Sequence, residues 1–106
     1  MKRKIHIDTI KALLSKTGNK CAFDGCDHPI FDQNNLYIAN LCHLEGVSEN
    51  GPRHNRNHAI IQNNSFDNLM FLCYRHHKEI DSNPQKFSVE ILKQFKSNHE
   101  AKFDET

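Results

Sequence analysis

Apolar and polar positions recur along the chain in a way that predicts three helices and two strands. A first helix over about residues 9–17 is predicted because Asp8 offers an N-cap oxygen, apolar residues follow it at helical spacing, and Gly18 can end the helix. A final helix over about 88–102 is predicted because Ser88 can cap it and its apolar residues share one side. Each of these helices therefore has one face suited to packing on a core.

Two apolar runs near the middle of the chain predict strands. Residues 36–44 are rich in strand-favouring side chains, and residues 69–72 form a shorter run. The second run leads directly into Cys73 and a helical segment that reaches about Asp81. The polar stretch from about 45 to 67 cannot pack a core and is predicted to be a long loop, which in a small domain is either functional or disordered. This order of elements predicts an α+β fold.

Composition adds a preference for metal. The 106 residues fit one domain, expected to span 1–106, and a domain this small gains from a metal staple. Eight histidines and four cysteines indicate metal ligands more than disulfides in a reducing compartment, whereas the net charge of +1 does not by itself indicate a nucleic-acid-binding protein. No apolar run approaches the roughly 20 residues that span a bilayer, and the N-terminus lacks a signal-peptide pattern. We therefore expect a cytoplasmic protein that does not associate with membranes.

Two closely spaced ligand pairs predict a zinc site. Cys21 and Cys26 lie at the two ends of a tight turn, and Cys73 and His76 lie at the start of a predicted helix. Two such pairs can supply all four ligands of a tetrahedral Zn²⁺, and this would staple a core over about 20–82. The alternative is a set of buried free cysteines with surface histidines. The two matched pairs favour zinc.

A second group of residues has the chemistry of a hydrolytic site. His77 points about 100° away from His76 around the helix, and Asp81 lies one turn further on the same face, where the pair can share a divalent cation. The alternative for Asp81 is a solvated helix face. His43, at the end of the first strand, can accept a proton from an attacking water while a cation polarises a phosphate oxygen. Asn68 can either ligate that cation or pin the loop by hydrogen bonds.

The order of these residues resembles the HNH endonucleases. The segments that carry the resemblance are His43, Asn68–Cys73, His76–Asp81, Gly51-Pro52-Arg53, and the closing residues 92–96 and 99–100. The resemblance as a whole extends from about Cys21 to His99. The resemblance implies a small ββα-metal domain in which a β-hairpin packs on a helix around one divalent cation, flanked here by N- and C-terminal helices and a zinc knuckle.

The resemblance also implies roles for the residues. His43 would be the general base, Asn68 the middle residue of the signature and His77 a ligand of the catalytic Mg²⁺ or Mn²⁺, while the four Cys and His residues of the two pairs would hold a structural zinc. One position departs from the common pattern, because Cys42 stands where many members have an oxygen or nitrogen ligand. Either Asp81, Asn68 or water completes the shell, or a softer cation such as Mn²⁺ or Ni²⁺ is used, or Cys42 is a packed strand residue.

The expected substrate is DNA, cut with little sequence preference. Arg53 and Arg56 in the long loop and Lys78 on the helix are predicted to contact backbone phosphates, and the alternative is a solvated loop. HNH domains of this kind occur as effectors of bacterial anti-phage and restriction systems, so a homodimer and a fused or associated sensor domain are both compatible with the sequence. The rival interpretation is a non-catalytic zinc module that binds nucleic acid or protein and has no need of His43.

Overall fold

The computed structural model of the chain describes residues 5–46, 53 and 64–103. The described elements, in chain order, are α1 (Ile7–Thr17), β1 (Ala39–His43), a short 3₁₀ helix (Phe66–Asn68), β2 (Leu69–Cys73), α2 (Tyr74–Ser82) and α3 (Val89–Ala101). The fold is therefore a small α+β arrangement of three α-helices and a two-stranded sheet, as far as these residues extend. None of the described helices is long and apolar enough to cross a membrane.

The two strands form an antiparallel pair at the centre of the fold. Ala39 lies opposite Cys73 at one end of the pair, and His43 lies opposite Leu69 at the other. All five residues of β2 are buried, because this strand has protein on both faces. One face contributes Phe71 to a core cluster with α1, and the other contributes Leu72 to a cluster with α2 and α3. This two-sided burial explains why the β2 run is continuously apolar rather than alternating.

The first strand is shorter than the predicted 36–44 because a polar turn precedes it. The Asp32 carboxylate accepts hydrogen bonds from the backbone N–H groups of Asn34 and Leu36, at 2.8 and 3.0 Å. These bonds hold Leu36 in a turn that Asp32 organises, as Asp side chains commonly do. The regular pairing with β2 consequently begins only at Ala39.

The three helices lie close to their predicted positions. Helix α3 begins after Ser88, whose side chain accepts a hydrogen bond from Ile91 N, so the predicted cap is confirmed. Helix α1 begins two residues earlier than expected, because the ring of His6 caps it by accepting from Asp8 N. It ends at Gly18, whose φ of 60° lies in the left-handed region and whose missing side chain leaves room for the Phe103 ring. Helices α1 and α3 thus meet at their C-terminal ends.

Acidification is expected to destabilise the fold through His99, which is 5% exposed between α1 and α3. Its Nε2 donates a hydrogen bond of 2.7 Å to the carbonyl of Thr17, and burial lowers the pKa of the imidazole below its usual 6.5. Because the pKa is lower in the folded than in the unfolded state, the stability contributed by neutral His99 is present above pH 6.5 and is lost as the pH falls below it.

Urea unfolding of the wild type and of His99→Gln, measured above and below pH 6.5, tests this expectation. The free energy of unfolding should fall less on acidification in the variant than in the wild type. Both proteins carry the same Cys and His cluster, so any acid release of a metal affects both alike. An equal fall in the two proteins would contradict the assignment.

Candidate functional site

Four side chains from two distant parts of the chain converge on one point. The ligand atoms of Cys21, Cys26, Cys73 and His76 all lie within 4.8 Å of one another. His76 Nδ1 is 3.8 Å from the Cys21 sulfur and 3.3 Å from the Cys73 sulfur. A tetrahedral zinc with Zn–S of about 2.3 Å and Zn–N of about 2.0 Å gives sulfur–nitrogen edges of roughly 3.5 Å, between these two values. The cluster can therefore hold a metal ion such as zinc.

Backbone contacts bring the first ligand pair to the second. Cys21 and Cys26 lie on the turn after α1, which is closed by a 3.0 Å hydrogen bond from Cys26 N to Phe23 O. The same turn is fastened to β2, because Ala22 N donates to Phe71 O at 3.0 Å. Cys73 is both the last residue of β2 and the N-cap of α2, so His76 lies in the first turn of that helix. The strand–helix junction thus supplies the second pair.

The environment of the sulfur atoms suits thiolates bound to a cation. The backbone N–H groups of Phe23 and Cys73 donate to the Cys21 sulfur at 3.4 and 3.2 Å, and His28 N donates to the Cys26 sulfur at 3.5 Å. Such bonds stabilise the charged form of sulfur. The pKa of Cys21 is raised to about 12, mainly by burial, so a nearby cation is what would keep this sulfur ionised at neutral pH.

The histidine of the cluster is fixed in a form that can bind metal. Phe23 stacks on the His76 ring with centroids 3.9 Å apart and planes 5° from parallel. Nδ1 faces the sulfur atoms, whereas Nε2 faces the Glu79 carboxylate at 3.9 Å. Burial lowers the pKa of His76, which favours the neutral imidazole that ligates metals. The donor set, its outer contacts and its protonation therefore all fit a structural zinc.

Cys42 does not belong to this cluster. It is buried in the core beside Met70 and Leu72, and burial raises the pKa of its thiol. Its Sγ lies 3.5 Å from the carbonyl oxygen of Asn40, two residues earlier on the same strand. The interpretation of Cys42 as a packed strand residue is confirmed. All four cysteines lie in the described part of the chain, and none of them forms a disulfide.

The structure brings His77 and Asp81 together on one face of α2. His77 Nε2 lies 2.9 Å from Asp81 Oδ2, and the two side chains are 36% and 37% exposed. His43, at the end of β1, has its Nε2 2.8 Å from the amide oxygen of Asn64. Within the described residues, the Cys and His cluster is the only group of three or more Cys, His, Asp or Glu side chains close enough to share an ion.

The Asn68 side chain forms hydrogen bonds with the protein backbone, which is the second of the two roles expected for it. Its amide oxygen accepts from Glu45 N at 2.8 Å, and its amide nitrogen donates to Glu45 O at 3.0 Å. Its own carbonyl oxygen accepts from Leu44 N at 2.9 Å. These contacts hold the segment directly after His43, so Asn68 fixes the end of β1. The expected ligation of a cation by this amide finds no support in the geometry.

Arg53 requires a correction, because its side chain lies inside the protein rather than on a DNA-facing surface. The side chain is 4% exposed, and its nitrogens donate to Leu44 O, Ile80 O and Asp81 Oδ1 at 2.7, 3.1 and 2.7 Å. A guanidinium whose three nitrogens each donate to a protein acceptor is poorly placed to contact a phosphate. Lys78 is exposed on α2, as its predicted role requires, and Arg56 lies outside the described residues.

Sequence reasoning did not find the partners of these residues. His43 contacts Asn64, and Arg53 contacts Leu44 and Ile80. No local sequence pattern indicates these contacts, because the partners are separated by nine or more positions in the chain.

The chain matches no protein-family model and no curated protein. Its chemistry therefore has to be argued from the geometry of its own residues.

Cysteines 73 and 42 are both buried on paired strands and form a matched comparison. Cys73→Ala should lose the zinc, because it removes one of four ligands, whereas Cys42→Ala should keep one zinc per chain at a cost of about 1 kcal/mol, typical of a buried truncation. Elemental analysis with thermal unfolding measures both effects. Equal loss of zinc in the two variants would contradict the assigned ligand set.

The adjacent histidines of α2 should behave differently when each is replaced. His76→Ala removes a ligand of a site whose binding energy is on the order of 10 kcal/mol in small zinc peptides, so the chain should unfold. His77→Ala removes a half-exposed side chain and should leave a folded, zinc-loaded protein. Circular dichroism and zinc content give the readout, and similar melting of both variants would mean that the ligands are misassigned.

Proposed function

We propose that this chain is a metal-dependent endonuclease domain of the HNH kind that hydrolyses DNA phosphodiester bonds. The observation that supports the proposal is a β-hairpin packed on a helix, with His43 on the hairpin and the His77–Asp81 pair on the helix. The two parts lie close together, because one guanidinium contacts both Leu44 O, beside His43, and Asp81 Oδ1. An imidazole that can act as a base and a second imidazole that can bind a cation are the groups that phosphodiester hydrolysis needs.

The contacts of His43 suit a general base. Since the amide oxygen of Asn64 accepts a hydrogen bond, Nε2 of His43 carries the ring proton. Nδ1 then holds the lone pair that takes a proton from the attacking water. Asn68 helps to hold His43 in position, because it accepts hydrogen bonds from the backbone N–H groups of Leu44 and Glu45, which directly follow the histidine.

The contacts of His77 suit a ligand of the catalytic cation. Its Nε2 faces Asp81, and among the described residues its Nδ1 has no hydrogen-bond partner. A divalent cation bound there would polarise a phosphate oxygen and stabilise the leaving alkoxide. Among the described residues, Cys42 is buried and the Asn68 amide is bonded to Glu45, so we assign waters to the rest of the shell of a Mg²⁺ or Mn²⁺ ion, with Ni²⁺ as a softer alternative.

Exposed cations on α2 suit contacts with the DNA backbone. Lys78 and its neighbour Arg75 are both exposed on this helix, and we assign them, with Arg56 of the loop, to phosphate binding. Phosphate contacts carry no base information, so cleavage with little sequence preference is expected. The role in bacterial defence, the association with a sensor domain and the homodimer rest on the motif resemblance alone.

Replacement of His43 tests whether the chain cleaves DNA with this histidine as the general base. Zinc-loaded wild type is expected to nick plasmid DNA in Mg²⁺ or Mn²⁺, and His43→Ala should be slower by about 100-fold or more because the general base is lost. His6→Asn is the matched control, since His6 is exposed and Asn can also cap α1. Gel analysis of plasmid forms gives the rates.

Two outcomes would contradict this proposal. Equal cutting by wild type and His43→Ala would remove His43 from the reaction. If zinc-loaded wild type binds DNA but cuts under none of Mg²⁺, Mn²⁺ and Ni²⁺, the non-catalytic zinc module becomes the better description.

A further inference from the structure

We propose that Arg53 is a positioning residue that fixes the end of β1 against the end of α2 and orients His77 through Asp81. The inference rests on the proposed function for its catalytic consequence, but its geometric part stands on contacts alone. It replaces the expected contact of Arg53 with a DNA phosphate. Three features of the structure support it: the direction of the guanidinium donors, the backbone conformation of Arg53, and the double use of the Asp81 carboxylate.

The guanidinium joins the two parts of the molecule that carry the site histidines. Its Nε donates to Leu44 O, immediately after His43, at 2.7 Å. Its two terminal nitrogens donate to Ile80 O at 3.1 Å and to Asp81 Oδ1 at 2.7 Å, both in the last turn of α2. A planar fork with fixed donor directions sets the separation of these acceptors, which a flexible lysine ammonium would not do.

The backbone of Arg53 is held in a conformation that arginine rarely adopts. Its φ is 55°, in the left-handed region, and its carbonyl oxygen accepts from Gly46 N at 3.3 Å. Side chains with a Cβ are strained in this region, so the conformation persists only where the surroundings impose it. The Gly46 contact and the three guanidinium bonds are the contacts that hold it here.

Asp81 transmits the position of Arg53 to His77. One carboxylate oxygen, Oδ1, is bonded to Arg53, and the other, Oδ2, lies 2.9 Å from His77 Nε2. A carboxylate beside one ring nitrogen places the proton on that nitrogen and leaves the lone pair on the other. Asp81 is therefore a bridging carboxylate that turns Nδ1 of His77 outward, rather than an independent ligand of the cation.

Kinetics with two substitutions distinguish positioning from phosphate binding. Arg53→Lys keeps the charge but loses the fork, and Arg53→Met loses both. For a positioning residue, both variants should lower kcat by roughly 100-fold, as small misplacements at an active site do, with the Kd for DNA and its salt dependence unchanged. For a phosphate contact, Arg53→Met should instead weaken DNA binding and reduce the slope of log K against log salt by about 0.9, while Arg53→Lys binds normally.

A second measurement does not depend on activity. The ¹⁵N chemical shifts of the His77 ring report which nitrogen carries the proton, and the zinc-loaded wild type should show it on Nε2. Arg53→Met should shift the ring toward a mixture of the two tautomers. Asp81→Asn, whose oxygen remains bonded to Arg53, should present an amide N–H to Nε2 and move the ring proton toward Nδ1. Asp81→Asn is included in case Arg53→Met does not fold, because the Asp81 side chain is 37% exposed and its replacement should be tolerated. Zinc content and circular dichroism verify that each variant is folded.

The two measurements separate the failure of this inference from the failure of the proposed function. A wild type that cuts nothing but whose His77 tautomer changes in both variants would overturn the nuclease and support the positioning pair. A His77 tautomer that is unchanged in both folded variants would overturn the positioning pair, whatever the cleavage rates. Lost DNA affinity in Arg53→Met, rescued in Arg53→Lys, would also overturn it and restore the phosphate contact.

Discussion

The convergence of Cys21 and Cys26 on Cys73 and His76 is the constraint on which the rest of the fold depends. In the described part of the chain the sheet has two strands and the core clusters on either side of β2 are small, so the apolar burial there is limited. A metal held by four ligands would join the turn after α1 to the start of α2. It would thereby fix where α2 begins, and hence where the face of that helix points.

Two adjacent histidines of α2 face different parts of the molecule as a result. His76 turns toward the cluster and stacks on Phe23, whereas His77 turns toward Asp81 on a half-exposed face. Phe23 also packs against Phe95 of α3, with ring centroids 5.0 Å apart, so the same contact links the cluster to the C-terminal helix. The structural and the proposed catalytic roles therefore meet on adjacent residues without competing for a ligand.

A second constraint acts at the opposite end of the hairpin. There the His43 end of β1 is held by Asn68 of the 3₁₀ helix and by the Arg53 side chain. Both residues use fully directed hydrogen bonds to backbone atoms, which define a position better than apolar packing does. The proposed active site would thus be held at one end by the metal cluster and at the other by a buried guanidinium.

Local sequence signals determined the helices, the α+β class and the members of the Cys and His cluster, because caps, periodicity and close Cys and His spacing act within short stretches of chain. Ser88 and the Cys21–Cys26 turn are examples, and both appear where the sequence indicated. Tertiary structure alone decided that Arg53 is buried, that Asn68 pins Glu45 and that β1 starts late, at Ala39. The physical reason is that a charged or amide side chain in a polar segment has the same local pattern whether it meets solvent, a phosphate or a distant carbonyl. Only the folded chain brings its partner within hydrogen-bond distance.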